Sequence, residues 1–192
     1  MNKTYLSAQE LLDLSYELAI KIFESGFRPN FIIGVWRGGA PVGIAVQEAM
    51  DYLGVKSDHI AIRTSSYSGI GQREKTVRVH GLRYLEEQVN SEDSLLIVDD
   101  IFDTGLSVEQ VVKDLKSHCR KNTPKICIAT PYYKPQNNLS NITPDYFVKE
   151  TDEWLVFPHE VDGLTDQEIR QHKELADSIK EKIITLRNQN SD

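Results

Sequence analysis

Leu95-Leu96-Ile97-Val98-Asp99-Asp100-Ile101-Phe102-Asp103-Thr104-Gly105-Leu106-Ser107 is the stretch whose reading decides the fold. Its first four residues are apolar without alternation, as expected of a strand covered on both faces. Val108, Val111, Val112 and Leu115 then recur at helical spacing, so the string reads as strand, turn and helix start. Between strand and helix, three carboxylates fall within five residues. They repel one another, and a strand end tolerates them only with solvent, a cation or a hydroxyl-rich ligand to satisfy them. Thr104, Gly105, Leu106 and Ser107 then offer backbone N–H groups and two hydroxyls at a helix N terminus, which suits a phosphate dianion. Asp-Asp alone would read as a solvated junction; the whole string does not.

Working outward, Phe31-Ile32-Ile33-Gly34-Val35 is a second short apolar run. Beyond Gly38-Gly39, the set Val42, Ala45, Val46, Ala49 and Leu53 gives a helical stripe closed by Gly54. An opening amphipathic helix is expected from the capping-box pattern Ser7-Ala8-Gln9-Glu10 followed by Leu11, Leu14, Leu18 and Ile22. Strands are expected at His59 to Thr64, Lys125 to Thr130, Tyr146 to Val148 and Trp154 to Phe157. Ser65 to Gly71 reads as a Ser/Gly-rich loop. A last helix is expected from Thr165, whose Thr165-Asp166-Gln167-Glu168 repeats the capping logic, with Leu175, Ile179, Ile183 and Leu186 as its buried stripe. Strands alternating with helices predict an α/β domain with a mainly parallel central sheet flanked by helices, and ligands at the carboxyl ends of its strands.

Composition narrows the function. The chain has 192 residues, a formal charge of −7 and 40% apolar residues, within the range of one soluble domain. An acidic balance argues against a broad basic face for duplex nucleic acid. No apolar run approaches the ~20 residues of a membrane-spanning helix, and the N terminus lacks a basic segment leading into an apolar one. A cytoplasmic protein without membrane or nucleic-acid partners is the expectation. Cys119 and Cys127 are too few for a disulfide framework and read as reduced thiols near a core.

Three further segments bear on chemistry. Trp36-Arg37-Gly38-Gly39 ends a strand, and its paired glycines allow the close approach needed to wrap N–H groups around an anion. By itself Gly-Gly is an ordinary strand-helix turn. Residues 63–83 carry five Lys/Arg against the single acid Glu74. A charge run is usually a solvated face, which is the reading kept for Arg83. The third segment is Lys134 with Trp154-Leu155-Val156-Phe157-Pro158-His159-Glu160. Taken alone, Trp154 reads as core.

The string Leu95–Ser107 resembles the phosphoribosyl pyrophosphate (PRPP) signature of the type I phosphoribosyltransferases at every characteristic position. The resemblance spans residues 30–160 and implies that family's fold. It would form a single domain over 1–192, with a small hood region for the base from segments about 1–29 and 131–165 and a mobile loop at about 65–80. It implies that Asp99 and Asp100 bind the ribose hydroxyls, that Asp100 also lies near Mg²⁺, and that Thr104, Gly105, Leu106 and Ser107 hold the 5′-phosphate. Asp103 matches the acid that faces N7 of a purine and is the candidate general base.

In the same comparison, Trp36, Arg37, Gly38 and Gly39 resemble the pyrophosphate loop, with a large Trp36 where bacterial xanthine-guanine enzymes have a small residue. Ser66 and Tyr67 resemble the Ser-Tyr pair of the mobile loop, which also holds Arg73 and Lys75; such a lid would exclude water from an activated PRPP. Lys134, Trp154 and Leu155 match the residues that donate to the purine 6-oxo group, stack on the ring and read the base edge. Glu160 stands where xanthine-guanine enzymes have Asp, and His159 replaces an aromatic residue. A lysine donates and cannot accept, which favours a 6-oxopurine over adenine.

The implied activity is a pentosyltransferase of purine salvage. It would transfer 5-phosphoribosyl from PRPP to hypoxanthine, guanine or xanthine, giving a nucleoside 5′-monophosphate and pyrophosphate, in a homo-oligomer, dimer or tetramer. The alternatives are a related enzyme for adenine, orotate or uracil, and a PRPP- or nucleotide-sensing regulatory protein that keeps the fold without turnover.

Overall fold

A computed structural model describes residues 3–67 and 76–190. The strands are β1 (Lys3–Tyr5), β2 (Phe31–Trp36), β3 (Asp58–Tyr67), β4 (Thr76–His80), β5 (Ser94–Val98), β6 (Ile101–Phe102), β7 (Lys125–Tyr133), β8 (Tyr146–Glu150) and β9 (Trp154–Val156). The helices are α1 (Ala8–Glu24), α2 (Gly39–Tyr52), α3 (Arg83–Gln88), α4 (Leu106–Cys119), α5 (Asp166–His172) and α6 (Asp177–Gln189). The chain forms two compact units, Leu12–Asp152 and a smaller one from Met1–Leu11 with Glu153–Asp192.

The larger unit is the α/β sheet expected from the sequence. Its strands run in the order β4-β3-β2-β5-β7-β6, with β8 also on β7, and every pairing is parallel except β3 with β4. Leu95, Leu96, Ile97 and Val98 of the central β5 are all fully buried, which is why this strand carries no polar alternation. On one face Leu95 and Ile97 join Ile33 and Val35 against Val108, Val111, Val112 and Leu115 of α4. Helix α2 packs on β2 and β5 through a stripe that includes the buried Val42, Val46 and Met50. Cys119 and Cys127 are free and buried, and burial pushes both thiols above the usual range.

The order of the strands positions the site. From β2 the chain proceeds outward to β3, whereas from β5 it proceeds to β7 on the other side. The sheet therefore changes direction between β2 and β5, and in open α/β sheets ligands bind beyond the carboxyl ends of strands at such a switch. Arg37–Gly39 follows β2 and Asp99–Ser107 follows β5, so both strings open onto that edge.

Several elements differ from the sequence expectation. Residues 65–67 and 76–80, expected in a loop, are strand, because Arg63–Tyr67 pairs antiparallel with Thr76–His80. Such pairing satisfies polar backbone that a Ser/Gly-rich composition leaves unsignalled. Helix α3 was not expected, and β7 continues to Tyr133. The smaller unit contains β1, which pairs in parallel with β9 from Lys3↔Trp154 to Tyr5↔Val156.

In the smaller unit the single C-terminal helix is replaced by two, and its expected stripe is not buried. Leu175, Ile179 and Leu186 are exposed, while Ile169 and Ile184 face the small core with Val156 and Leu164. Lys173 leaves the helix in an extended conformation, and the nonhelical residues 173–176 reset the phase of α6 relative to α5. The Thr165 capping box is complete, with its hydroxyl accepting from Glu168 N and the Glu168 carboxylate accepting from Thr165 N. Ser7 likewise accepts from Glu10 N at the start of α1.

Candidate active site

Backbone proximity builds the first part of the site. A Cβ on Gly38 would overlap the Asp100 carboxylate, and one on Gly39 would overlap the Val98 carbonyl oxygen and lie 2.8 Å from Asp99 Cα. Only glycines let the turn after β2 rest against the end of β5. The Trp36–Arg37 peptide is cis, and both side chains are exposed. No side chain caps α2, which begins at Gly39, or α4, which begins at Leu106. Both N-cap residues are glycines, Gly38 and Gly105, which carry no side chain to accept from the first N–H groups.

Asp99 is half-buried, and desolvation, followed by the charge of Asp100, raises its carboxyl well above the usual carboxylate range. It accepts from Asp100 N at 3.0 Å and from Gly39 N. A second negative charge beside it is unfavourable unless a cation or donor-rich ligand arrives. Gly105 caps α4 with φ +74°, a conformation that favours glycine, and Phe102 and Ser140 occupy the space a Cβ would need. Thr104 and Leu106 on either side are exposed.

Strand register supplies the next part. Phe102 of β6 pairs with Tyr133 of β7, so the next residues along, Asp103 and Lys134, emerge side by side. Lys134 Nζ lies 3.5 Å from Asp103 Oδ2, with the lysine side chain 8% exposed and the aspartate 42%. Asn137 Nδ2 donates to Asp103 Oδ1 at 2.9 Å. The backbone tightens this contact through Lys134 N to Phe102 O, 2.9 Å, and Leu139 N to Thr104 O, 3.0 Å. Segment 134–139 thus braces the acidic loop residue by residue. Asn137 was not anticipated, since nothing in the sequence links an asparagine to an acid 34 positions earlier.

The remaining sequence candidates fall elsewhere. Trp154, Leu155 and Glu160 belong to the smaller unit. The Trp154 side chain is exposed, contrary to the core reading of that residue taken alone, while Leu155 is buried. Glu160 Oε2 accepts from Phe157 N at 2.9 Å, closing a turn. Ser66 and Tyr67 are in β3, whereas Arg73 and Lys75 lie outside the described residues. Arg83 is exposed and paired with Glu87. Among the described residues no three His, Cys, Asp or Glu side chains form a metal-binding group, and no helix is long and apolar enough to cross a membrane.

A mainly parallel sheet with an acid-rich strand end, two helix starts and a glycine turn at its switch point is an arrangement suited to phosphorylated ligands in α/β proteins. Residues 1–164 match the family model of the phosphoribosyl transferase domain, and the chain belongs to that family. Solved structures agree. It is similar to a purine phosphoribosyltransferase from Pyrococcus horikoshii, with 28% identity over 86% of this chain and 98% of that one and a TM-score of 0.66. It is similar in fold to a xanthine-guanine-hypoxanthine phosphoribosyltransferase from Helicobacter pylori, with 23% identity, 84% and 96% coverage and a TM-score of 0.66. A hypothetical protein from Neisseria gonorrhoeae with bound ppGpp shares the fold at 18% identity, 84% and 91% coverage and a TM-score of 0.69. No curated protein is a significant sequence match.

Proposed function

We propose that the protein transfers the 5-phosphoribosyl group of PRPP to a 6-oxopurine, releasing pyrophosphate and forming the nucleoside 5′-monophosphate. The observation that carries this reading is the Lys134–Asp103 pair, a donor cation and an acceptor carboxylate 3.5 Å apart. A 6-oxopurine presents O6, an acceptor, beside N7, which can carry a proton. Lys134 would donate to O6 and Asp103 would accept the N7 proton as N9 bonds to C1′. Adenine offers an amino group where Lys134 needs an acceptor.

Asp99 and Asp100 would take the ribose hydroxyls, and Thr104 to Ser107 with the start of α4 would hold the 5′-phosphate. The pyrophosphate would lie at Trp36–Gly39, with Arg37 supplying a permanent positive charge. Mg²⁺, which the family implies, fits this donor set. Asp100 would hold it where its carboxylate borders the Gly38 turn, and magnesium needs only one or two protein carboxylates when ligand oxygens and water complete its shell. When bound, it neutralises charge on the leaving pyrophosphate. The resemblance assigns ring stacking to Trp154, edge reading to Leu155 and a further base contact to Glu160, and closure over the site to Ser66, Tyr67, Arg73 and Lys75.

The test is turnover with PRPP and Mg²⁺ against hypoxanthine, guanine, xanthine, adenine, orotate and uracil. Turnover confined to 6-oxopurines is expected. Activity on adenine, orotate or uracil instead would overturn the base assignment, and PRPP binding with no turnover on any base would identify a sensor.

A further inference from the structure

Lys134 and Lys173 are the two buried lysines among the described residues. Lys173 belongs to the smaller unit, is 5% exposed, and burial lowers its pKa from the ordinary lysine value. Desolvating an ammonium is costly unless hydrogen-bond acceptors compensate it. Its acceptors are main-chain oxygens: Phe157 O at 2.6 Å and Pro158 O at 3.5 Å.

Those carbonyls lie in the turn that comes after Trp154 and Leu155. The turn already closes on itself, because Glu160 N donates to Phe157 O at 3.0 Å and Phe157 N donates to Glu160 Oε2 at 2.9 Å. Phe157 O would therefore keep a hydrogen bond without Lys173. The ammonium adds a second anchor, delivered from the end of α5, where Lys173 N donates to Ile169 O. The anchor fixes where the turn sits relative to the capped helix, and with it the strand end that carries Trp154 and Leu155.

We propose that Lys173 is a positioning residue for purine recognition. Its ammonium holds the Phe157–Glu160 turn so that Trp154 and Leu155 meet the base in one register, and it sets base affinity without taking part in PRPP binding. This rests on the purine reading of the site.

The test compares the full-length protein with Lys173→Met and Lys173→Arg. Kinetics are measured with each 6-oxopurine and with PRPP, melting temperature is recorded, and calorimetry measures GMP against ribose 5-phosphate binding. In Lys173→Met the base KM is expected to rise about tenfold, with PRPP KM changing less than about twofold. Its melting temperature is expected not to fall, since an apolar group replaces a desolvated charge. Lys173→Arg keeps the cation and restores most of the base affinity. An unchanged base KM in Lys173→Met overturns the proposal, as does a joint rise of base and PRPP KM with a lower melting temperature. Should Lys173→Met not fold, Lys173→Gln, which keeps one donor arm, is read by the same criteria.

Calorimetry separates the two readings. If the unaltered protein binds GMP no more tightly than ribose 5-phosphate, the purine reading itself fails. If it does bind GMP more tightly and Lys173→Met keeps the whole difference, only the role of Lys173 fails.

Discussion

The acidic loop of the larger unit and the Phe157–Glu160 turn of the smaller one are held by different forces. At Asp99–Ser107 the geometry comes from backbone approach, with Gly38 and Gly39 lying where any side chain would collide. Strand register then sets Lys134 beside Asp103. At Trp154–Lys173 charged side chains do the holding. Lys173 clamps two carbonyls, and Glu168 gathers Lys3 Nζ, the Tyr5 hydroxyl and Thr165 N. Backbone contact tolerates almost no change of shape, whereas a charged cluster tolerates shape changes and responds to protonation.

The largest expected effect tests the chemistry that backbone approach serves. Asp103→Asn removes the proposed acceptor for the base proton and is expected to lower kcat by about 10²–10⁴-fold, with little change in PRPP affinity; steady-state kinetics check both. An unchanged kcat would remove the general-base role and leave the loop a binding element alone.

Next comes Gly39→Ala, whose Cβ meets backbone atoms that cannot rotate away. It is expected to cost about 1–3 kcal/mol of stability by overpacking, read as a lower urea midpoint, together with loss of PRPP binding. Full retention of both would show that the two loops do not depend on close approach.

Asn137→Ala sharpens the comparison at smaller scale. Losing the donor to Asp103 Oδ1 is expected to cost about 1 kcal/mol in the transition state, seen as a severalfold lower kcat with PRPP KM unchanged.

The smallest effect belongs to the charged cluster. Glu168 has its pKa lowered from 4.5 to about 2, first by Lys3, then by Thr165 N and the Tyr5 hydroxyl. A depressed folded-state pKa stabilises the fold above the unfolded value, and that contribution is lost as pH falls from 4.5 towards about 2. Urea midpoints of the unaltered protein should fall through that interval, and those of Glu168→Gln should fall less. Parallel curves would break the contrast between the two regions.

Legibility in the sequence divides along the same line. The strand-turn-helix string, the glycine turn and both helix caps could be read directly, because each is a local pattern whose physics lies within a few residues. The exposure of Trp154 could not, since the apolar run around it reads as core, whereas the indole is exposed where Trp154 pairs with Lys3 of β1. The buried stripe of the last helix failed for a related reason: Lys173 breaks the helix to reach carbonyls 15 and 16 residues earlier. Helical periodicity assumes an unbroken axis.

The mainly parallel α/β class, the acid-rich strand end and the family resemblance follow from the amino-acid order alone. Local propensity and close spacing suffice for those. Only tertiary folding has Asn137 brace Asp103, brings Asp99 against Gly39 and draws Lys173 inside. Each of these joins groups far apart in the chain, and their meeting is set by strand order and register, which no short window of residues contains.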